Sequence, residues 1–382
     1  MRDVYILGVG QSMFGKQPNF SAPELGAVAA EAAIQDAGID PRMIQVAYGS
    51  RVVDASQTIE DIMKRVGITT LEMHNAENAC ASGGTALHML WKDIAGGFYD
   101  IGIVVGAEAM TTSSIAGGLV PLAKDDLNGR LGVTNPSLAA LTAHRLMETQ
   151  GLTLEDLAYA SVKNHKNACF NPYAHYKVEL TVQDVLNSKM ISDPVTRLMC
   201  CPQSDGAAAA IVCTKEIASR YTTKPVKIQA SVVLTAPYEA YDEELTDATL
   251  IGLLADKTYQ KAGIGPEDLD VVELHDAFSP EEIYAYECMK LCKKGETMSF
   301  IRSGAAEING RCPVNPSGGL QSLGHPLGAS GVRVICEVTL QLRGQAGKRQ
   351  VKDAKVGLAQ MVGGSLVNLS SPAVGSLHVL TV

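Results

Sequence analysis

One cysteine of this sequence stands in a setting that favours thiol chemistry. Cys80 lies in the run Asn-Ala-Cys-Ala-Ser-Gly-Gly, where a strand-like segment gives way to a helix rich in alanine and glycine. The dipole and the free amide groups of a helix N-terminus stabilise a negative charge, and small neighbours let a substrate approach closely. Most cysteines are buried hydrophobic residues, but this setting indicates a nucleophile.

A histidine follows a second strand-like run. His275 lies in Glu-Leu-His-Asp-Ala-Phe, and open α/β sheets bind ligands at the carboxyl ends of their strands. His275 can act there as an acid, a base or a hydrogen-bond donor. The alternative is a supporting role for this motif, in which Asp276 or Ser279 caps the helix that Pro280 begins.

A second histidine lies in a long turn rich in glycine and proline. The run from Asn315 to Gly331 reads NPSGGLQSLGHPLGASG, and a proline directly follows His325. Such a turn is rigid and can hold an imidazole toward a neighbour. Because an imidazole beside a thiol is the arrangement of an activated thiolate, Cys80 and His325 form a candidate nucleophile–base pair.

The elements that must position these sites occur twice in the chain. The repeats consist of three pairs in the same order: residues 36–46 (DAGIDPRMIQV) with 261–271 (KAGIGPEDLDV), the helix starts at Cys80 and Ala329, and residues 100–108 with 355–363. The first pair predicts a helix, ended by Gly38 or Gly263, and then a buried strand. Three matches in one order indicate a duplication. The duplication would place His325 near Cys80 across a pseudo-two-fold axis.

This repeat predicts an α/β fold of two βαβ-rich halves around a parallel or mixed sheet covered on both faces. We expect an N-terminal half at residues 1–220 and a C-terminal half at residues 221–382. Residues from about 111 to 199 have no counterpart in the second half and are interpreted as an inserted loop domain. Residues 205–213 (DGAAAAIVC) are expected to be the last strand of the first half, and Pro225 marks the start of the second.

The composition argues against several classes of function. The chain has 382 residues, 46% of them hydrophobic, and a formal net charge of −9 from 32 basic and 41 acidic residues. No basic run is long enough to follow a nucleic-acid backbone, and no window approaches the roughly 20 apolar residues of a membrane span. The nine cysteines form no C-x-x-C pattern, so we expect reduced thiols, no metal site and a cytoplasmic location.

The motifs together resemble those of the thiolase superfamily. N-A-C-A-S-G is similar to the nucleophilic-cysteine motif of that family, and N-P-S-G-G…G-H-P-L-G-A-S-G and Met361-Val-Gly-Gly are similar to its C-terminal motifs. H-D-A-F, C-C-P-Q-S-D-G-A-A-A-A-I and L-R-G-Q-A-G-K-R-Q-V are most similar to the sterol-carrier-protein-type and archaeal-type acetoacetyl-CoA thiolases. The resemblance covers nearly the whole chain and implies the thiolase fold, with a layered αβαβα core.

The resemblance also implies roles for individual residues. Cys80, activated by His325, would form an acyl-cysteine, and His275 and His325 would bind the oxygen of an enolate. The backbone N–H groups of Cys80 and Gly363 would form a second oxyanion hole. The positions expected to bind substrate are Asn315, Gly318 and Met361. Coenzyme A is expected as a co-substrate, and no cofactor is expected to be bound permanently.

One departure from the family pattern concerns proton transfer. Most thiolases carry a second cysteine before the C-terminal Gly-Gly, where this chain has Met361, whose thioether cannot transfer a proton. The sterol-carrier-protein type carries that cysteine in H-D-C-F, where this chain has Ala277. Cys200 or Cys201 could replace it, although packing is the more frequent role of such residues. A histidine or a bound water is a further alternative.

The resemblance predicts a thiolase of the acetyl-CoA C-acyltransferase type, which cleaves a β-ketoacyl-CoA or runs the reverse Claisen condensation. The expected substrate is acetoacetyl-CoA or a bulky or aryl β-ketoacyl-CoA such as benzoylsuccinyl-CoA, with the aromatic segment from Phe170 to Tyr176 as a candidate lining of the acyl pocket. Two alternatives stay open: an aldol lyase of the same fold, acting on a β-hydroxyacyl-CoA, and a non-catalytic acyl-CoA-binding subunit. The presence of Cys80 argues against both.

Protein partners are expected as well. The resemblance implies a homodimer. The segment 111–199 offers few basic residues to an anionic CoA, and related short thiolases pair with a small OB-fold protein that carries a zinc ribbon. We therefore expect such a partner to help bind CoA, and we expect neither a nucleic-acid nor a membrane partner.

Overall fold

The computed structural model of the chain describes residues 1–120, 127–222, 224–237, 250–365 and 372–382. Its strands are β1 (Val4–Gln11), β2 (Val46–Ser50), β3 (Glu72–Ala76), β4 (Ile101–Ala109), β5 (Met190–Ser192), β6 (Val195–Thr196), β7 (Asp205–Thr214), β8 (Val226–Thr235), β9 (Val271–Glu273), β10 (Val356–Ser365) and β11 (Pro372–Thr381). Its helices are α1 (Ala22–Ala37), α2 (Thr58–Val66), α3 (Ser82–Gly96), α4 (Leu127–Arg130), α5 (Asn135–Gln150), α6 (Leu154–Ala168), α7 (Val182–Leu186), α8 (Lys215–Tyr221), α9 (Leu250–Ala262), α10 (Ser279–Cys288), α11 (Thr297–Arg302), α12 (Gly319–Leu323) and α13 (Leu327–Arg343).

A mixed sheet runs through both halves of the chain. Within the described residues it contains nine strands in the order β3-β2-β4-β7-β1-β8-β11-β10-β9. β2 is parallel to β3 and β4, and β9 is parallel to β10, whereas the other neighbours are antiparallel. The two halves meet between β1 and β8 through the pairs Tyr5↔Lys227 and Ile6↔Val226. The repeated strands β2 and β9 are each followed inward by the repeated strands β4 and β10, as the duplication predicts, whereas β3 at the outer edge has no counterpart among the described strands of the second half.

Helices cover the outer faces of the sheet, and two further helices pack between the strands of the first half and those of the second. α1 packs on β1, β4 and β7, and α9 packs on β8 and β11. α3 and α13 pack on each other and also touch strands of both halves, so they form a middle layer. The result is the αβαβα arrangement that the resemblance implies.

The two central helices approach at backbone distance. A β-carbon on Gly83 would lie 2.7 Å from the backbone nitrogen of Val332, and a β-carbon on Gly331 would lie 2.4 Å from that of Gly84. No side chain fits into such a contact, so glycine is required on both helices. The repeated Ser-Gly of the two helix starts is therefore the local reason that the Cys80 turn and the His325 turn can come together.

Several predicted element ends are confirmed. Gly38 ends α1 with a φ of 65°, and its N–H donates to the carbonyls of Ile34 and Gln35. Gly263 has a φ of 70° and donates to the carbonyl of Tyr259. The predicted strand at residues 205–213 is β7.

The predicted inserted segment packs over the second half. It contains α4 to α7 and the short β5–β6 pair, and its residues 121–126 lie outside the described chain. α5 and α6 pack on α10, and α6 also packs on α12. In the described part of the chain, the helices lack the combination of length and apolar character that crossing a bilayer requires.

Candidate active site

Cys80 lies in a tight turn between β3 and α3. The preceding residue, Ala79, has a φ of 48°, a left-handed conformation that alanine rarely adopts. The N–H of Ala81 donates to the carbonyl of Asn78 at 3.0 Å. Ser82 Oγ accepts from the N–H of Asn78 at 2.8 Å and donates to the carbonyl of Ala79 at 2.5 Å. These bonds hold the turn in place and leave Cys80 half-buried.

Three side chains from distant parts of the chain converge at this turn. Cys80 Sγ and one ring nitrogen each of His275 and His325 all lie within 4.8 Å of one another. The two imidazoles meet edge to face, with ring centroids 5.4 Å apart and planes inclined by 78°. His275 is 8% and His325 is 4% exposed, so both rings are largely shielded from water. The structure thus brings together the residues that the three motifs single out.

Ser330 holds the ring of His325. Ser330 Oγ lies 2.8 Å from His325 Nδ1 and donates to the carbonyl of Pro326 at 2.9 Å. Since the hydroxyl has a single proton, Nδ1 must be the donor to Ser330, which leaves Nε2 as a free acceptor. Burial, assisted by the charge of His275, lowers the pKa of His325 well below 6.5. His325 is therefore a neutral imidazole whose Nε2 can take a proton.

His275 is in the opposite charge state. Burial lowers the pKa of His275, but Cys80 and Glu281 outweigh burial and raise that pKa to about 10. Its Nδ1 lies 3.3 Å from Glu281 Oε2. Its backbone N–H donates to Gln360 Oε1 at 2.9 Å, which fixes the end of β9 against β10. Two neighbouring imidazoles with pKa values driven apart can serve as a cation and a base in one site.

Gly363 lies directly against the cysteine turn. A β-carbon at this position would be 2.6 Å from the backbone nitrogen of Cys80 and 2.7 Å from that of Ala81. Glycine is thus required here for the backbone of β10 to reach the turn. The assignment of the Cys80 and Gly363 N–H groups to an oxyanion hole stays a prediction, and the two residues are adjacent in space.

The three positions expected to bind substrate are buried among protein groups. Asn315 Oδ1 accepts from the N–H of Leu274 at 2.9 Å, and its Nδ2 donates to Glu282 at 2.9 Å. Gly318 has a φ of 102° and packs on α6, and Met361 is buried in β10. The polar atoms of Asn315 are therefore engaged in holding the segment that carries His275, and a substrate-binding role of these residues stays a prediction.

Cys200 and Cys201 lie beside the H-D-A-F segment. The N–H of Cys201 donates to the carbonyl of Ala277 at 2.8 Å. The thiol of Cys200 instead donates to the carbonyl of Thr196 at 3.4 Å. Burial raises the pKa of Cys200 to about 12. Burial, together with neighbours that include Cys80, raises the pKa of Cys201 well above 9.

Neither Asp276 nor Ser279 caps α10, so the capping interpretation of this motif is wrong. The residue before α10 makes no side-chain capping bond. Asp276 accepts from the N–H of Leu320 at 2.6 Å, at the start of α12, and Ser279 donates to the carbonyl of Leu157 in α6. Both side chains fasten neighbouring segments to the loop that carries His275.

A buried polar network behind the histidines is absent from the sequence-based expectations. Lys163 of α6 pairs with Glu282 of α10 at 2.9 Å, and both side chains are fully buried. Asn164 donates to Asp276 at 2.8 Å, and the guanidinium of Arg333 pairs with a buried carboxylate of β9. Polar residues along a helix, such as those of α6, are more typical of an exposed face, so the sequence does not predict this network. Through these contacts, α6 of the inserted segment anchors the loops of the site.

The aromatic segment of the insertion abuts the His325 turn. The N–H of His175 donates to the carbonyl of Leu323 at 3.1 Å, and the N–H of Tyr176 donates to that of Ser322 at 2.9 Å. Phe170 is 38% exposed. This contact joins the inserted segment to the residues directly before His325.

Comparison with known proteins gives matches over almost the whole chain. The family description "Thiolase, N-terminal domain" matches residues 4–216, and "Thiolase C-terminal domain-like" matches residues 238–373. The benzoylsuccinyl-CoA thiolase subunit BbsB of Thauera aromatica is 38% identical over 95% of each chain. An acetyl-CoA acetyltransferase of Methanothermobacter thermautotrophicus is 39% identical over 96% of this chain and 97% of the relative.

The fold also matches solved structures. One of them, described as an Ltp2–ChsH2(DUF35) aldolase, superposes with a TM-score of 0.85 at 25% identity, over 99% of this chain and 97% of the other.

Proposed function

Since this chain belongs to the thiolase family and is an acyltransferase, we propose that it transfers acyl groups between Cys80 and coenzyme A. The reaction is the cleavage of a β-ketoacyl-CoA or, in reverse, a Claisen condensation. The observation that supports this most directly is the Cys80 sulfur within 4.8 Å of two imidazole nitrogens, one ring neutral and the other cationic. Coenzyme A takes part as a co-substrate, and the proposed chemistry needs no permanently bound cofactor.

The first half-reaction moves the acyl group to the enzyme. His325 Nε2 accepts the proton of Cys80, and the cationic His275 lies beside the resulting thiolate. The sulfur attacks the β-keto carbon, a C–S bond forms, and the bond between the α- and β-carbons breaks. Its electron pair leaves as the enolate of an acyl-CoA, and the N–H groups of the two imidazoles can then donate to the enolate oxygen.

The second half-reaction returns the acyl group to coenzyme A. The thiol of coenzyme A gives its proton to the thiolate that is left when the enolate is protonated, because His325 still holds the proton of Cys80. The sulfur of coenzyme A attacks the acyl-cysteine carbonyl, and the C–S bond to Cys80 breaks. The new acyl-CoA leaves, and the Cys80 sulfur takes its proton back from His325. The N–H groups of Cys80 and Gly363 would bind the oxygen of the tetrahedral intermediates, which is consistent with the close packing of Gly363 on the Cys80 turn.

The enolate needs a proton, and Cys201 is the donor that we propose. Cys201 is bonded through its backbone to Ala277, two residues after His275, whereas the thiol of Cys200 already donates to the carbonyl of Thr196. A thiol with a raised pKa stays protonated and can give a proton to carbon. Met361 and Ala277 offer no such group.

The roles of the two thiols can be separated by experiment. Cys201→Ser should keep acylation of Cys80 but lose the exchange of deuterium from solvent into the α-carbon of acetyl-CoA. The matched control Cys200→Ser should keep both. Normal deuterium exchange in Cys201→Ser would exclude Cys201 as the proton donor.

Acyl transfer itself is tested by trapping the intermediate. The purified chain is mixed with acetyl-CoA or acetoacetyl-CoA, quenched in acid and digested. The mass of the peptide that contains Cys80 is then measured by mass spectrometry. We expect an added acyl group on that peptide, and none at this position in Cys80→Ala. Thiolytic activity retained by Cys80→Ala would overturn the proposal.

The names of the relatives guide the choice of substrates. One relative is named for benzoylsuccinyl-CoA and another for acetyl-CoA, so acetoacetyl-CoA and benzoylsuccinyl-CoA are the two compounds to test first. The segment from Phe170 to Tyr176 adjoins the His325 turn and is the part of the chain that we propose to line the acyl pocket.

An aldol lyase is the second candidate function. The match to a structure described as an aldolase supports it, as does the absence of cysteine at positions 277 and 361. A lyase would cleave a β-hydroxyacyl-CoA without acylating Cys80. Turnover of such a substrate by Cys80→Ala, with no trapped acyl group in the wild type, would favour this alternative.

We also propose that the chain forms a homodimer and works with a second, smaller protein. The word "subunit" in the name of one relative and the DUF35 component named for one solved structure support the smaller partner. Size-exclusion chromatography with light scattering tests the dimer, and co-purification from the native cell extract tests the partner. Full activity of the isolated chain would contradict a requirement for it.

A further inference from the structure

The cluster of Cys80, His275 and His325 also has the composition of a metal centre. Thiolate sulfur and imidazole nitrogen are the ligands that Zn²⁺ prefers. One such atom from each residue lies within 4.8 Å of the other two. Because tetrahedral zinc bonds of about 2.0–2.3 Å separate ligand atoms by about 3.4–3.6 Å, a contraction of about 1 Å would close the site.

Both imidazoles have the surroundings of metal ligands. A metal-binding histidine usually turns one ring nitrogen to the metal and the other to an oxygen of the protein. His325 Nδ1 lies 2.8 Å from Ser330 Oγ, and His275 Nδ1 lies 3.3 Å from Glu281 Oε2. The Nε2 atoms of both rings are buried and have no hydrogen-bond partner among the described residues. A hydrogen bond to Ser330 therefore holds the ring of His325, whereas His275 Nδ1 has only the charge contact with Glu281 and makes no hydrogen bond within the described part of the chain.

We propose that Cys80, His275 and His325 bind a thiophilic divalent cation, such as Zn²⁺, and that the bound ion reversibly blocks the nucleophile. The ion forms one bond to the Cys80 sulfur and one to a nitrogen of each ring. The proton of the thiol and the extra proton of His275 pass to the solvent, and Glu281 accepts from the remaining N–H of His275. Three protein ligands leave a fourth position for water or an external thiol.

Blocking follows from the use of the same sulfur electrons. The pair that would attack a carbonyl carbon is engaged in the bond to the metal, so the metal-bound and acylated forms exclude each other. The ligands come from three separate segments of the chain, so the site has no C-x-x-C motif in the sequence. Free zinc would then regulate the enzyme directly at its nucleophile.

Binding can be measured without any substrate. Isothermal titration of the full chain with Zn²⁺ should show one tight equivalent, and Co²⁺ at this site should give a sulfur-to-cobalt charge-transfer band. Mg²⁺, which prefers oxygen ligands, should not compete. Cys80→Ser should remove the tight equivalent and the band, whereas the matched control Cys169→Ser, at another half-buried thiol, should keep both.

Two further variants test the supporting groups. Ser330→Ala and Glu281→Gln each remove a partner of a liganding ring, and loss of such a partner lowers metal affinity by about 10–100-fold. Zn²⁺ should also slow the alkylation of Cys80 by iodoacetamide, and a chelator should restore it. These readouts show loss of the site even where a variant has lost activity for other reasons.

Equal zinc affinity in the wild type and in Cys80→Ser, both folded by circular dichroism, would place the ion at other cysteines and overturn the proposal. Absence of zinc binding by the wild type would overturn it as well. Because no acyl-CoA is present, either result leaves the proposed acyl transfer untouched, and a failure of acyl transfer leaves the metal site untouched.

Discussion

Ser330→Ala tests whether the tautomer of His325 controls the nucleophile. The Ser330 hydroxyl donates a hydrogen bond to the carbonyl oxygen of Pro326 and accepts one from His325 Nδ1, so that Nε2 faces the site as a base. The substitution removes this acceptor. The ring must then either keep a buried, unpartnered N–H at Nδ1 or move the proton to Nε2, where it prevents Nε2 from taking the proton of Cys80.

The magnitude follows from the cost of an unpartnered polar group. Leaving a buried donor without its partner costs about 1–3 kcal/mol, and the ring is nearly all buried. If the ring avoids this cost by changing tautomer, the reactive form is less populated by a corresponding factor. Since about 1.4 kcal/mol is a factor of ten in rate, we expect acylation of Cys80 to slow by about 10–100-fold.

The assay is a single-turnover acylation of Cys80, quenched at successive times and measured by mass spectrometry. Ser322→Ala is the matched control, because Ser322 lies in α12, three residues before His325, and its buried hydroxyl has no hydrogen-bond partner among the described residues. The control should acylate at the wild-type rate. An unchanged rate in folded Ser330→Ala would refute the assignment of His325 as the oriented base.

Three further predictions concern the backbone, a buried ion pair and a buried acid. Gly363→Ala places a β-carbon 2.6 Å from the Cys80 nitrogen and should lower kcat by about 100-fold or more, as loss of an oxyanion-hole donor does; an unchanged kcat in steady-state kinetics would contradict this. Arg333→Met leaves Glu273 buried without its cation, so urea unfolding should show a loss of about 3–5 kcal/mol, and a loss below about 1 kcal/mol would count against the pair. Burial raises the pKa of Glu108 from 4.5 to about 7, so its contribution to stability is complete below pH 4.5 and is lost as the pH rises through 7. In Glu108→Gln, the fall in unfolding free energy between pH 4.5 and pH 7 should be smaller than in the wild type by about 3 kcal/mol. An equal fall in both proteins would disprove the raised pKa.

Much of the fold follows from local signals that agree with a repeat. The glycines at 38 and 263 mark helix ends because a left-handed residue is needed there. The apolar run 205–213 becomes β7 because a strand buried on both faces has little polar surface. Local signals do not predict the burial of α6 in the inserted segment. Lys163 and Asn164 are polar residues of the kind usually found on an exposed helix face, but both are buried in the structure.

The sequence likewise predicts one part of the candidate site and not the other. The motifs around Cys80, His275 and His325 point to reactive side chains, and the repeat indicates that the first and last of these meet. The motifs do not indicate the roles of Ser330, Glu281 or other supporting residues. Such contacts join segments that are far apart in the chain or that only the turn of a helix brings together.

The sequence by itself therefore predicted two α/β halves and singled out a candidate nucleophile and two imidazoles, because local chain geometry and duplication depend on residue types and their order. The αβαβα layering was implied by the family resemblance. Only the tertiary structure decided that His325 is neutral and His275 cationic. That difference depends on burial and on charges such as that of Glu281 acting through space. Such interactions depend on distance between atoms in the folded chain, which the spacing of residues along the sequence does not determine.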